Sequence, residues 1–480
     1  MVKVCKNGVW ILKAREIIED SPENQNKLKK LPSPAGGDLR EIGRRGTLAA
    51  RVLLTHDLNR ASSRPLPKEL KLTFDALVSH GTTFADAVKA AGLNGLEGFP
   101  VPCVVAGAPL LPAAGGVTYV PPHAAGIHSY IRENVAASGK MILGSRCGAL
   151  GAMGVSGEGA LVKQLLRQTC DIPWPRIIAV YLTGKPRRGS GPLDIALAIT
   201  AAAQEGGFAR DAVLEFLGDG IAELRAGFRL NVDALTAETG SWSSIWETDE
   251  TTRHYFAAHG REGDYKKLQP SALAYYDGMI YLDLSAVKPM TALPFGGGII
   301  ELGALLANPG DILRHVEKEG AGAGLTDAVD SQGRIRVGRA ALATCAGGTF
   351  DNLMAVCSVL ENRAYRHEPG SGFTLSLYPA SQPVLIELAR NGALVSLISR
   401  GALVCTVCGP CSEPPAPGLS VRHGMPDGAA FLLDARSIAA TALNRGCLSS
   451  IESITWEERI APYSFDPAPY FAAVYGGRRR

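Results

Sequence analysis

The sequence has no long hydrophobic run and no excess of charge of either sign. No stretch approaches the roughly 18–20 consecutive apolar residues that a membrane-spanning helix needs, so no membrane span is expected. The formal net charge at pH 7 is only +3, which is too small to favour electrostatic capture of nucleic acid. Residues 1–20 also lack the apolar stretch and the small-residue cleavage site of an export signal. We therefore expect a cytoplasmic protein that binds neither membrane nor nucleic acid.

The chain also lacks internal repeats and the composition of a disordered protein. Its hydrophobic content is 46% and only 20% of its residues are charged, which is typical of a folded protein. No self-similarity with a period of about 20–50 residues is present, which argues against a solenoid. At 480 residues the chain is too long for one small core, and about two to four domains are expected.

Cysteines, in contrast, are concentrated in one short segment. Three of the ten cysteines fall within CTVCGPC, residues 405–411. In a reducing compartment, clustered cysteines are more often metal ligands or catalytic thiols than disulfides. A structural zinc site usually needs four closed ligands, and no second CxxC is present. The run does not continue as a bacterial ferredoxin pattern either. Because neither pattern matches fully, the segment alone does not decide between zinc, an iron–sulfur cluster and plain core packing.

A further cysteine lies where a predicted strand meets a predicted helix. Cys345 ends RIRVGRAALATC and precedes a segment whose apolar residues recur at helical spacing, namely Phe350, Leu353, Met354, Cys357 and Leu360. The unpaired N–H groups at a helix start favour a thiolate. Cys408-Gly-Pro-Cys411 is a tight turn that points both sulfurs to one side. Three thiolates would leave one metal position open for Lewis-acid chemistry, while Cys405, in an apolar strand, is interpreted as inert.

Alternating strand and helix signals predict an α/β fold with mostly parallel sheets. Residues 176–184 form a short apolar run that ends in Thr-Gly, which is typical of a buried parallel strand. Residues 191–207 indicate a helix, because Pro192 suits its first turn and Gly206 and Gly207 end it. Such alternation implies right-handed crossover connections.

The same alternation continues along the chain. A strand is predicted over residues 212–220 and a short helix over residues 221–228. The charged, aromatic segment 246–267 is interpreted as a solvated helix and loop. Boundaries near Pro175 and Pro289 divide the chain into three predicted domains, residues 1–175, 176–289 and 290–480.

Two motifs together carry a resemblance to a known family. ATCAGGTFDNL (343–353), followed about sixty residues later by CGPC (408–411), resembles the cluster-binding signature of the aconitase superfamily. Further matching segments follow in the family's order and extend the resemblance over most of residues 120–460: 175–197, 214–224, 279–295 and 429–443. The resemblance implies three α/β/α layered domains around a [4Fe–4S] cluster. It also implies a fourth, swivelling domain, on the same chain or on a separate subunit.

The resemblance implies a set of site residues. The cluster ligands would be Cys345, Cys408 and Cys411. His128, in PPHAAGIHSY, matches a histidine that the family places in its active site, and Asn231 matches an asparagine near the cluster. The family's glutamate has no counterpart at position 235, which is leucine, and Glu238 is the nearest carboxylate. The other histidines show no ligand spacing, and surface or capping roles are expected for them.

The chain departs from the family pattern at several motifs. MILGSRCGALGAM (141–153) lacks an Asp-Ser-His-Thr expected between Ser145 and Arg146, and residues 104–116 contain no side chain that can transfer a proton. After SVRH (420–423) the arginine clamp for substrate carboxylates is missing, as is the swivelling domain. A positioned acid and base contribute roughly 10²–10⁴-fold to a rate, and arginine forks orient carboxylates.

Two functions therefore follow from the resemblance. The first is a [4Fe–4S] hydro-lyase, or the large subunit of one, that acts on a small hydroxy di- or tricarboxylate. In the second arrangement a separate subunit would carry the swivelling domain. The alternative is a non-catalytic relative that keeps the cluster as a structural or iron- or oxygen-responsive element. The family favours the first function, and the missing proton-transfer and arginine motifs favour the second.

Overall fold

The computed structural model describes most of the chain. The described residues are 2–29, 38–59, 65–92, 101–107, 116–155, 158–319, 324–361, 372–405, 420–423, 430–463 and 465–475. They form an α/β protein with several mostly parallel sheets, which confirms the predicted fold class.

The described residues contain twenty-two strands, numbered in chain order: β1 Val2–Cys5, β2 Val9–Leu12, β3 Glu16–Glu19, β4 Glu69–Leu72, β5 Ala76–His80, β6 Cys103–Ala106, β7 Val117–Val120, β8 Met141–Leu143, β9 Met153–Val155, β10 Cys170–Pro173, β11 Ile177–Thr183, β12 Val213–Leu217, β13 Ser243–Trp246, β14 Leu273–Tyr276, β15 Gly278–Asp283, β16 Met290–Ala292, β17 Ile299–Glu301, β18 Arg339–Leu342, β19 Thr374–Leu377, β20 Leu403–Val404, β21 Ser420–His423 and β22 Ala430–Leu432.

The same part of the chain contains seventeen α-helices: α1 Gln25–Leu28, α2 Leu39–Arg45, α3 Leu48–His56, α4 Gly81–Ala90, α5 Ile127–Asn134, α6 Glu158–Leu165, α7 Pro192–Gln204, α8 Ala226–Leu235, α9 Glu250–Ala258, α10 Leu302–Ala307, α11 Pro309–Lys318, α12 Thr344–Gly347, α13 Phe350–Glu361, α14 Gln382–Arg390, α15 Ala393–Ser399, α16 Ala435–Leu443 and α17 Ala468–Tyr475. None of them is long and apolar enough to cross a membrane.

Three larger sheets organise the structure. The first has the order β7-β6-β5-β8-β9 and is parallel throughout. The second, β1-β15-β11-β12-β13, is parallel except for β1, which pairs antiparallel with β15. The third has the order β17-β16-β22-β21-β18-β19-β20, with a parallel centre and antiparallel pairing of β16 with β17 and β22.

The first two sheets share hydrophobic cores, whereas the third has its own. One cluster packs Val78 and Ile142 with Val180 and Ile280, which belong to different sheets. The cluster of the third sheet draws only on residues 293–456. A small cluster joins the second and third sheets through Leu193, Leu235, Ala346 and Leu432. Ala346 directly follows Cys345, so Cys345 lies next to this junction between the second and third sheets.

The strand and helix predicted over residues 176–207 are confirmed. β11 is buried along almost its whole length, as expected for a strand covered on both faces. Helix α7 begins with Pro192 at its first position, and the Gly191 N–H donates to the Asp194 carboxylate at 2.8 Å. The chain turns away at Gly206, whose φ is 63°.

The short helix predicted over residues 221–228 is wrong. A 3₁₀ turn spans Asp219–Glu223, and Leu224 and Arg225 are extended before α8 begins at Ala226. The break is fixed by Arg229, whose guanidinium donates to the carbonyls of Leu224 and Ile221 at 2.9 and 2.8 Å. The extended segment contributes to the wall of the cavity described below.

Two buried carboxylates tie distant elements together. On β12, Glu215 accepts the N–H groups of Leu48 and Ala49 at 3.0 and 2.9 Å, and the Tyr276 hydroxyl at 2.7 Å. Asp434, at the start of α16, accepts the Leu193 N–H at 3.2 Å and the Arg436 guanidinium at 3.0 Å. Both carboxylates have no solvent exposure. Glu215 thus holds the start of α3 on the second sheet, and Asp434 joins the second sheet to the third.

Candidate functional site

Cys345 lies in a strained turn between β18 and α13. Thr344, immediately before it, has a φ of 70°, a left-handed conformation that is unfavourable for a β-branched residue and costs about 1–3 kcal/mol. Its Oγ1 accepts the N–H groups of Ala346 and Gly347 at 3.2 and 3.4 Å. Cys345 is largely buried and forms part of the wall of a 390 Å³ cavity. Backbone strain is thus present at the position where a ligand was predicted.

Asn231 supports this turn from behind. Its Nδ2 donates to the Gly227 carbonyl and to Thr349 Oγ1, both at 2.9 Å. Asn352 Nδ2 in turn donates to Asn231 Oδ1 at 3.2 Å and to the Ala346 carbonyl at 3.0 Å. Asn231 is fully buried. The structure therefore brings Asn231 close to Cys345, in a position that orients the turn.

Helix α5 brings His128 and Arg132 to the same place. His128 Nδ1 lies 3.0 Å from Ser145 Oγ, and burial lowers the pKa of His128. Arg132, one turn later, donates from Nη1 to the Cys345 carbonyl at 3.0 Å. Ser129 and Arg132 contribute to the cavity wall, whereas His128 does not.

Glu238 lies away from this group. It is exposed, in the 3₁₀ turn Thr236–Thr239, and its backbone carbonyl accepts from Gln204 Nε2 at 3.0 Å. It is not part of the cavity wall. Where Asp-Ser-His-Thr was expected, the chain runs directly from Ser145 to Arg146, whose buried guanidinium donates to Ser241 Oγ at 3.1 Å.

The other two predicted ligands, Cys408 and Cys411, lie outside the described residues. Cys405 is half-buried, and its N–H donates to the Leu377 carbonyl at 2.8 Å. Within the described ranges, no group of three His, Cys, Asp or Glu side chains could hold a metal. The surroundings of Cys345 nevertheless fit the role of one metal ligand of three. Asn231, Asn352 and Arg132 hold its turn in place, and the turn lies at the cavity wall.

The cavity is lined by six parts of the chain. They are α5, residues 222–230, α9 with its C-cap, residues 345–351, Ala380 with Val384, and residues 461–463. Apolar side chains such as Leu224, Leu230 and Phe350 cover much of the surface. A volume of this order suits a small metabolite.

Two charged side chains of α5 are buried in this wall. Arg132 is 5% exposed and Glu133 is 7% exposed. Ser381 Oγ donates to Glu133 Oε1 at 3.2 Å, but Glu133 Oε2, Arg132 Nε and the Tyr463 hydroxyl have no hydrogen-bond partner among the described residues. Burial raises the pKa of Glu133 to about 8, so this carboxyl carries a proton at neutral pH.

His259, the C-cap of α9, was not identified as a site residue from the sequence. It is 1% exposed, and its Nδ1 donates to the Tyr255 carbonyl at 2.7 Å. Its ring lies 4.2 Å from the Tyr255 ring and 5.6 Å from the Tyr463 ring, between centroids. Burial lowers the pKa of His259 to about 4. The expected capping role is correct, but the residue also contributes to the cavity wall.

His423, in contrast, has neither of the two roles, surface or capping, that were expected for it. His423, at the end of β21, is 1% exposed, with Nε2 3.6 Å from Asp434 Oδ2. For His423 that expectation is wrong, because the packing of β21 against α16 buries it. The segment 246–267 is likewise only partly solvated. Arg253 and His254 are exposed, whereas Tyr255 and His259 face inward. Because residues four positions apart lie on the same face of a helix, this spacing was the sequence signal that could have indicated the inward position of His259.

These observations describe an α/β protein with three larger sheets and with Cys345 at the wall of a small, largely apolar cavity. A sequence model of the aconitase family (aconitate hydratase) matches residues 111–444. Because the match covers more than half of the chain, the chain belongs to the aconitase family.

Individual relatives are distant. The chain is 26% identical over 314 residues to the mitochondrial aconitate hydratase of Gracilaria gracilis, covering 62% of this chain and 37% of that protein. It is 25% identical over 293 residues to 3-isopropylmalate dehydratase large subunit 1 of Thermotoga maritima, covering 59% of this chain and 63% of that protein. For the mitochondrial aconitate hydratase of Saccharomyces cerevisiae the identity is 26% over 302 residues, covering 59% and 36%. The chain thus spans between 36% and 63% of these relatives.

Proposed function

We propose that the chain is a hydro-lyase, or the large subunit of one, that acts on a small hydroxy di- or tricarboxylate. Membership of the aconitase family and relatives named as hydratases and dehydratases support the reaction class. The observation that carries the proposal is the position of Cys345 at a cavity wall that also contains the buried cation Arg132. A guanidinium is well suited to bind a substrate carboxylate.

A [4Fe–4S] cluster is the proposed cofactor, with Cys345, Cys408 and Cys411 as its ligands. Three protein ligands leave one iron open, which would act as a Lewis acid on a substrate hydroxyl. The chain's own residues bind and orient the substrate. Arg132 provides the carboxylate site, Asn231 holds the cysteine turn, and the apolar side chains of the wall exclude water.

We further propose that a second subunit completes the site. The Thermotoga maritima relative is named as a large subunit, and this chain covers 63% of that protein. A swivelling-domain subunit would close over the Cys345 side and supply further groups for the substrate carboxylates.

One observation favours a non-catalytic alternative. The direct connection from Ser145 to Arg146 places a buried arginine, hydrogen-bonded to Ser241, where the family's proton-transfer motif was expected. In this alternative the cluster would be a structural or iron- or oxygen-responsive element.

The two functions are separated by Mössbauer spectroscopy of the anaerobically ⁵⁷Fe-reconstituted protein. We expect a four-iron cluster in which one iron changes its signal when citrate, isocitrate or 3-isopropylmalate is added. Cys345→Ala should lose the cluster, whereas Cys5→Ala, on β1 and outside the cavity, should keep it. A cluster that responds to none of these acids would support the non-catalytic alternative. Absence of any cluster in the parent protein would refute both.

A further inference from the structure

The cavity contains proton-transfer groups that the family resemblance does not assign. The predicted motifs for this task are missing from the sequence, yet His259 and Glu133 both belong to the wall that contains Cys345. They come from different elements, the C-cap of α9 and the last turn of α5. Tyr255 connects them, because its carbonyl accepts from His259 Nδ1, and burial together with the nearby Glu133 carboxyl raises the pKa of the Tyr255 hydroxyl.

The hydrogen bond of His259 determines which ring nitrogen can accept a proton. A carbonyl oxygen only accepts, so Nδ1 must carry the hydrogen that it donates to Tyr255 at 2.7 Å. The neutral ring therefore has its lone pair on Nε2. Tyr255 and Tyr463 pack against the ring and hold its orientation. Because His259 belongs to the cavity wall, Nε2 is the basic atom that this ring can offer there.

Glu133 has the complementary role. Arg132 is nearby and favours the carboxylate of Glu133, but burial outweighs this effect and the protonated form is preferred. Only Ser381 donates to it, at 3.2 Å to Oε1, and Oε2 has no partner among the described residues. The protonated carboxyl can donate one hydrogen bond and one proton from Oε2.

We propose that His259 and Glu133 form the acid–base pair of this cavity, with Nε2 as the base and the Glu133 carboxyl as the acid. The inference rests on the hydro-lyase function proposed above. The C–H bond next to the substrate carboxylate breaks and its proton moves to Nε2, while the electron pair forms the C=C bond. The C–O bond breaks, and the departing hydroxide takes the Glu133 proton and leaves as water. The imidazolium then loses its proton to solvent and the carboxylate regains one, so the cycle closes.

The charged and titratable neighbours of the pair come from several elements. His259 is faced by Tyr255, Arg261, Tyr463 and Asp466. Glu133 is faced by Arg132, by Ser381, by the Cys345 turn, and by Tyr255 and Tyr463. The base must be neutral and the acid protonated. We therefore expect kcat/KM of the parent protein to rise as pH passes about 4 and to fall as pH passes about 8.

The experiment uses the reconstituted protein with whichever of citrate, isocitrate and 3-isopropylmalate it converts. In His259→Asn the side-chain amide can still donate to the Tyr255 carbonyl, but the Nε2 lone pair is gone. We expect kcat to fall roughly 10²–10⁴-fold with little change in KM. The acidic limb of the pH profile should disappear from the residual activity. Glu133→Gln should lower kcat similarly and remove the alkaline limb instead. His315→Gln, at an exposed position on α11, should change neither.

Each outcome decides the inference. If the parent protein converts a hydroxy acid and His259→Asn does so within about threefold of its rate, the acid–base pair is wrong and the proposed function stands. If the parent protein converts none of the acids, the function and the pair fail together. If His259→Asn fails to fold, the pH dependence of kcat/KM of the parent protein still tests the acid–base pair. A profile flat between pH 4 and 9 would overturn the pair.

Discussion

Buried carboxyl groups have opposite surroundings in two regions of this molecule. Glu215 and Asp434, which connect sheets and helices, are each enclosed by several donors. Among the described residues, Glu133, in the cavity wall, has one donor, at 3.2 Å, and its Oε2 has none. A buried polar atom without a partner costs about 1–3 kcal/mol. The fold therefore surrounds the two structural carboxyls with donors and leaves the carboxyl of the cavity wall less well satisfied.

We expect the largest loss of stability when the carboxyl with the most hydrogen-bond donors, that of Glu215, is removed. Glu215→Ala would leave the N–H groups of Leu48 and Ala49 and the Tyr276 hydroxyl buried without partners. At about 1–3 kcal/mol for each group, we expect a loss of about 3–9 kcal/mol in the free energy of unfolding. Urea denaturation measures this loss. Glu215→Gln, which retains one acceptor oxygen, should lose clearly less; equal losses would show that both carboxylate oxygens are needed as acceptors.

Asp434→Asn should have the next largest effect. Burial opposes ionisation of Asp434, but Arg436 and His423 lower its pKa well below the usual range. The stabilisation is therefore present above the unfolded pKa of about 3.9 and is lost as pH falls towards the folded pKa. We expect the variant to be about 2–4 kcal/mol less stable at pH 7. The difference from the parent protein should shrink below pH 4, and thermal unfolding across pH 3–7 would test this.

Glu133→Gln should behave in the opposite way. Because the folded pKa of about 8 is above the unfolded value of about 4.3, the parent protein loses stability as pH rises between these two values. Glutamine does not titrate. We expect the variant to be more stable than the parent protein by about 1–3 kcal/mol at pH 8, with a smaller difference at pH 5. A variant less stable at pH 8 would show that Glu133 is satisfied after all.

The smallest effect concerns packing around Asp434. A Cβ at Gly191 would lie 2.1 Å from Asp434 Oδ1, so Gly191→Ala should destabilise by about 1–3 kcal/mol. Gly303 on α10 is the matched control, since a Cβ there meets nothing within 4 Å. Gly303→Ala should be neutral or slightly stabilising. Equal midpoints for the two variants in urea would mean that the junction at Asp434 is looser than its contacts indicate.

The sequence predicted those elements whose signals are local. The strand and helix of residues 176–207 follow from an uninterrupted apolar run and from Pro192 and Gly206 at the ends. The break at Leu224 was not predictable in this way, because it depends on hydrogen bonds from Arg229 that form only in the folded chain.

The residues of the candidate site also differ in whether a local sequence signal identifies them. Cys345 could be identified from its position between strand and helix and from the family motif. His259 has only one local signal, its spacing four residues after Tyr255, because its ring also packs against Tyr463, about two hundred positions away. Glu133 stands in the charged stretch Arg132-Glu133-Asn134, which resembles an exposed helix end, and only tertiary packing buries it. Whether Cys408 and Cys411 complete the cluster stays a prediction.

Strand β1 has a consequence for how the chain is made. Val2 pairs with Leu282 and Cys5 with Met279, at the edge of the second sheet. During synthesis at roughly 5–20 residues per second, β1 must wait on the order of tens of seconds for its partner strand β15. Until then β1 is an unpaired strand that other chains could capture, so translation speed through residues 5–279 should influence how much of the protein reaches its native state.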